Sequence, residues 1–142
     1  MPACPLCESR GGTILWRDDF CRVVLADEPD YPGFLRVILA AHVKEMSDLA
    51  PAEQQRLLQA VLASEAALRE VVAPDKVNLA SLGNLVPHLH WHVIPRFTDD
   101  PHFPNAVWGA RQRDRPRAAP SDLDARLAAA LRRRLGPARE ME

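Results

Sequence analysis

The sequence predicts an α+β fold: a mostly antiparallel five-stranded sheet with one long helix packed on it and a second helix near the C-terminus. Three observations predict it. Short segments of β-type composition are separated by clusters of turn formers. One stretch, 51–72, carries a sustained apolar stripe at helical spacing. Neither an internal repeat nor a domain boundary interrupts the chain, so sheet and helix share one core.

Residues 1–12, MPACPLCESRGG, form a short arm with turn residues at each end. Ile14–Trp16 and Phe20–Leu25 read as strands, joined by Asp18-Asp19 in a hairpin turn. Asp27–Gly33 is a loop rich in turn formers, and the mostly apolar Phe34–Leu39 reads as a central strand. Pro51 suits a first helical position, and Leu57, Leu58, Val61, Leu62, Leu68 and Val72 make the stripe of the long helix. Pro74-Asp75 ends it. Val77–Leu82 and Leu89–Pro95 are the last two strands, joined through Gly83-Asn84. Pro101, Pro104, Pro116 and Pro120 then deny long regular structure. A final helix is expected from about 122 to 135, with Ser121 as N-cap and Gly136-Pro137 as its stop.

The chain has 142 residues, enough for one compact domain with a real core. Its formal net charge of −1 gives no general pull toward nucleic acid or a membrane surface. Arg132–Arg134 read as the solvated end of a helix. No apolar run approaches the roughly 20 residues needed to span a bilayer, and the N-terminus lacks a secretory pattern. A cytoplasmic protein is therefore expected. Three cysteines, Cys4, Cys7 and Cys21, argue against a disulfide framework.

The informative segment is Pro87-His88-Leu89-His90-Trp91-His92-Val93-Ile94-Pro95-Arg96. Three of the chain's five histidines alternate here with apolar residues. On a strand, side chains two apart share a face and stand about 6–7 Å apart. His88, His90 and His92 are thus expected on one face, and Leu89, Trp91 and Val93 in the core. A neutral imidazole is a good nucleophile near neutral pH and attacks phosphorus when held in line with a leaving group. The resulting phosphoramidate is reactive enough for water to cleave. A neighbouring imidazole can hydrogen-bond the phosphoryl oxygens. The alternative reading is a metal site, because His-x-His on a strand is also good ligand geometry. Ligation of all three would quench the nucleophile, and the motif holds no carboxylate to act as a hydrolytic base.

The segment HLHWHVI resembles the signature of the histidine triad (HIT) family. The likeness extends to PGFLRVILAAHVKEMSDL at 32–49, to VNLASLGNLVP at 77–87, and to the N-terminal CPLC at 4–7, which is similar to the CxxC of bacterial members. It covers roughly residues 4–109. A HIT domain over 1–109, including the arm, is therefore expected, with 110–142 a Pro- and Arg-rich segment and helix extending the same domain.

The resemblance implies a nucleotide hydrolase or transferase, such as a diadenosine polyphosphate hydrolase, working through a nucleotidyl-histidine. His90 takes the nucleophile's place. His92 binds the α-phosphate, and His88 is oriented near His42. Asn78 and Asn84 stand where family members place polar groups near phosphate and sugar, and Asp27 where an acidic residue bonds ribose hydroxyls. A purine nucleotide substrate and a homodimer are implied, the long helix offering a dimer face. Two departures stand out: Leu85 takes the place of a serine or threonine within reach of the leaving group, and Phe34 that of a histidine.

Cys4-Pro5-Leu6-Cys7 has the spacing of a structural zinc site. It reads equally as an exposed arm with two free thiols. In some HIT relatives the set is completed by two histidines, here His42 and His88. Other residues keep two readings. Trp108 stacks on a base or covers a hydrophobic edge. Arg96 caps its strand or binds phosphate. A nucleotide-binding module with little turnover, and a zinc-stabilised interaction protein, remain alternatives to an enzyme.

Overall fold

The computed structural model describes residues 3–115 and 117–139; Pro116 and the two ends of the predicted arm and tail lie outside them. Five strands, β1 (Thr13–Arg17), β2 (Cys21–Leu25), β3 (Leu35–Leu39), β4 (Lys76–Ala80) and β5 (His90–Arg96), form one antiparallel sheet in the order β1-β2-β3-β5-β4. Among the described residues three α-helices accompany it, the single turn α1 (Pro5–Glu8), the long α2 (Pro51–Val71) and α3 (Leu123–Leu135), with a 3₁₀ turn at Met46–Asp48 ahead of α2.

The apolar β3 is the central strand, as its composition predicts. Asp18 makes the β1–β2 hairpin work, its carboxylate accepting the amides of Phe20 and Cys21 at 2.9 Å. Pro95 is tolerated in β5 because the last pair with β3 is Leu35–Val93; beyond it β5 bonds only to β4. Gly33 feeds β3 at φ +95°, and a Cβ there would press within 3.1 Å of Val72 Cγ2.

One face of the sheet carries Val23, Leu35, Val37 and Val93 against the helices. The buried face of α2 is Leu57, Ala60, Val61, Ser64, Ala67 and Leu68. Leu58 and Leu62, placed in the stripe by periodicity, are exposed at 39% and 56%. Small residues replace them at the contact, letting α3 approach closely through Leu127, Ala130 and Leu131. Trp16 Nε1 donates to the Gly136 carbonyl at 3.0 Å, tying the end of α3 back to β1. The N-cap of α3 is Asp122 rather than Ser121, and its side chain makes no capping bond. Among the described residues no helix is long and apolar enough to cross a membrane.

Among the described residues, the opposite face is covered at its two ends. The N-terminal arm lays Leu6 over Val24 and Ile38. At the other end, the loop after β5 packs Val107 against Ala26, Tyr31, Phe34 and Ile94. Cross-strand neighbours Arg36 and His92 lie on this face between the two covers.

Candidate active site

Between the two covers a cleft of about 260 Å³ opens, with His90 and His92 inside, Leu82, Asn84, Leu85 and Val86 along one wall and Trp108 on another. Both histidines are 8% exposed. Alternation along β5 puts them on one face, as predicted, with ring centroids 5.0 Å apart and planes at 81°. His92 also meets the Trp108 ring edge-on at 5.0 Å and the Phe34 ring at 5.8 Å.

His90 Nδ1 lies 2.6 Å from the backbone carbonyl oxygen of His88. A carbonyl only accepts, so Nδ1 carries the hydrogen and donates it. In the neutral ring the lone pair is then on Nε2. Burial pulls the pKa of His92 down to about 4, and the charges of His90 and Arg36 act the same way, so His92 is neutral at pH 7. Its Nδ1 is buried without a hydrogen-bond partner among the described residues. Such an atom costs about 1–3 kcal/mol and asks for a reason other than stability.

His88 departs from the expected row. It lies ahead of β5, bent away by the loop from Ser81 to Leu89, and its ring turns to the end of β3. There His88 Nε2 donates to the Leu39 carbonyl at 2.7 Å, which leaves Nδ1 as the lone-pair atom. Burial, with His42 and Arg22 adding to it, lowers its pKa and keeps it neutral. That Nδ1 faces Cys4 Sγ at 3.5 Å, Cys7 Sγ at 3.4 Å and His42 Nδ1 at 3.3 Å, and Cys7 Sγ stands 3.3 Å from His42 Nδ1. All four donor atoms lie within 4.8 Å of one another. A tetrahedral Zn²⁺ with bonds of about 2.0–2.3 Å spaces its ligand atoms at roughly 3.3–3.8 Å. The cluster can therefore hold a metal ion: two sulfurs, two imidazole nitrogens and one ring already oriented by a carbonyl.

The remaining predicted residues are placed differently. Asn84 is exposed on the cleft wall. Asn78 lines a separate depression of about 460 Å³ along β4, and its Oδ1 accepts from Arg96 Nη1 at 2.7 Å. Asp27 is exposed just after β2 and lines neither hollow. Leu85 is 96% exposed, and the nearby Ser81 hydroxyl is spent on the His90 carbonyl at 2.9 Å. Arg96 ends β5 fully buried against Asp100, and His102 is half-buried against Tyr31. Sequence reasoning missed Asp100 and Tyr31 altogether. One signal for Arg96 was available, since it continues the even-numbered alternation of His90, His92 and Ile94.

A HIT domain family model matches residues 10–99. The AP-4-A phosphorylase of Mycobacterium tuberculosis is 27% identical over 113 residues, 75% of this chain and 58% of that protein. The asymmetrical bis(5'-nucleosyl)-tetraphosphatase of Schizosaccharomyces pombe is 28% identical over 91 residues, 61% of this chain and 50% of that protein. The chain thus spans little more than half the length of these curated relatives. The crystal structure of a histidine triad protein from Bradyrhizobium japonicum superposes with a TM-score of 0.72 at 31% identity, covering 89% of this chain and 92% of that one.

Proposed function

Because the chain belongs to the HIT domain family, whose matched relatives are named as nucleotide-processing enzymes, we propose that it hydrolyses or transfers a nucleotidyl group through a covalent His90 intermediate. The observation that carries this reading is the His90–His88 carbonyl bond, which leaves the Nε2 lone pair of His90 free.

Nε2 attacks the α-phosphorus of a purine nucleotide. The bond from phosphorus to the leaving group breaks as the N–P bond forms, and the electron pair departs with the leaving group. Neutral His92 donates a ring N–H to a phosphoryl oxygen as charge builds there. Water, or another acceptor, then attacks the phosphoramidate, loses a proton and frees Nε2. Asn84, on the wall beside the leaving group, is the polar side chain available in place of a hydroxyl. Diadenosine polyphosphates and adenosine phosphoramidates are the substrates proposed first, with Asn78 and Asp27 reserved for more distant polar contacts.

The four-residue cluster Cys4, Cys7, His42 and His88 fits zinc. Bound there, the ion would clamp the N-terminal arm to the end of β3, a structural task that leaves His90 free. The exposed Leu58 and Leu62 on α2 support a homodimer built across that helix.

The fully exposed Leu85 favours a second reading, a nucleotide-binding domain with little turnover. Incubation with diadenosine polyphosphates and an AMP-phosphoramidate separates the two. AMP release by the wild type, abolished in a folded His90→Ala variant, supports the enzyme. Nucleotide binding with no AMP from the wild type overturns it in favour of the binding domain.

A further inference from the structure

Trp108 walls the histidine cleft, yet it is 52% exposed, so packing alone does not fix its ring. The loop that carries it is tied down at one buried carboxylate. Asp100, 4% exposed, accepts six hydrogen bonds. Arg96 gives two, Nε at 2.8 Å and Nη2 at 3.1 Å. The Tyr31 hydroxyl gives one at 3.1 Å, and the amides of Phe97, His102 and Phe103 give three at 2.8–3.0 Å.

The same arginine reaches both sides of the cleft wall. Nη1 donates to Asn78 on β4, and Nη2 donates to the Asn105 carbonyl at 2.7 Å, three residues before Trp108. Arg113 closes the far end of the loop on the carbonyls of Asp100 and Phe103, at 2.6 and 2.7 Å. Removing either partner of such a buried pair strands the other's charge, so the loop is either latched or lost from this place.

We propose that Asp100 and Arg96 are positioning residues that hold Trp108 against His92 as a stacking wall for a planar heteroaromatic ring of the substrate. The proposal rests on the reading of the cleft as a nucleotide site. Neither residue touches the reacting atoms; both act through the Asn105–Trp108 backbone.

The test compares Asp100→Asn, Trp108→Ala and the double variant. Expected for each is a rise in KM for a diadenosine polyphosphate on the order of tenfold, the scale of one lost base–aromatic stack, with kcat within about twofold of wild type. The double variant adds nothing to Trp108→Ala, because both changes remove the same wall. The ring proton signals of His92, shifted by the Trp108 ring 5.0 Å away, move in Asp100→Asn to their Trp108→Ala positions. Arg96→Lys keeps a cation beside Asp100 but drops the Asn105 contact, and carries the same expectations if Asp100→Asn does not fold. A folded latch variant with His92 signals at wild-type positions overturns the proposal, as does a KM effect additive with that of Trp108→Ala. If the wild type proves inactive, the catalytic reading fails by itself, and the His92 signals still decide the latch.

Discussion

The Nδ1 of His90 donates to the carbonyl of His88 at 2.6 Å, so a residue two positions ahead of His90 sets the tautomer of the residue that begins the strand. The bond fixes one nitrogen as donor and leaves the other with its lone pair. A substitution that removes the lone pair should abolish chemistry without undoing the fold. His90→Ala is expected to lower AMP release by a factor on the order of 10⁴ or more, with the melting transition retained. Intact-protein mass spectrometry should find a nucleotidyl adduct on wild-type protein quenched in acid-free buffer and none on the variant.

His92 makes the pH dependence of stability legible. Its pKa falls from an ordinary value near 6.5 in the unfolded chain to about 4 in the folded one. Between those values the unfolded chain binds a proton that the native site refuses. Stability therefore decreases as pH falls from about 6.5 to about 4, and this contribution levels off below. Asp100 acts in a lower window. Burial pushes its carboxyl up, but Arg96 and the amides of Phe97, His102 and Phe103 outweigh that and hold it well below the carboxylate range. Its contribution is complete above the unfolded value near 4 and is lost as pH falls beneath it. Urea denaturation across pH 3–8 should show a shallower slope between pH 4 and 6.5 in His92→Gln; an unchanged slope would refute the assignment.

How far these features could be read from the chain depends on how local their cause is. The five strands and both major helices follow from residue type and period, and β3 is central as its composition, apolar but for Arg36, predicts. His90 and His92 share a face because strand alternation is a local rule. His88 escaped that rule because a loop bend, stabilised by the remote Leu39 carbonyl, moves it off the strand. Leu58 and Leu62 escaped the helical stripe because a stripe does not say which part of it a partner helix covers. Asp100 and Tyr31 were illegible for a similar reason. Their 3.1 Å bond joins residues 69 apart in sequence, and nothing local marks either as buried.

The Cys4–Cys7–His42–His88 cluster predicts a metal requirement. Protein expressed with zinc should hold about one ion per chain, as a single four-ligand site requires. Cys7→Ser and Cys4→Ser should each lower zinc content and the melting temperature, because metal-binding energy is folding energy for the arm. Chelation should release the arm and expose Leu6, Val24 and Ile38, readable as faster amide exchange in β2. Unchanged zinc content in Cys7→Ser would remove that residue from the ligand set.

Leu85 yields the sharpest test of the leaving-group chemistry. The side chain is 96% exposed on the cleft wall, so its loss forfeits almost no packing. Leu85→Ser should leave stability within about 0.5 kcal/mol of wild type. On the proposed reading of the cleft it offers a hydroxyl to a departing phosphate or amine, so kcat should rise, by about 10²-fold at most, the lower bound for positioned proton donation. The gain should be largest for leaving groups of high pKa, which need a proton most, and smallest for a good leaving group such as a nucleoside polyphosphate. Parallel rates for a phosphoramidate and a diadenosine polyphosphate measure this directly. Equal rates in wild type and variant for both substrates would mean that proton delivery does not limit turnover and that Leu85 is neutral to the chemistry.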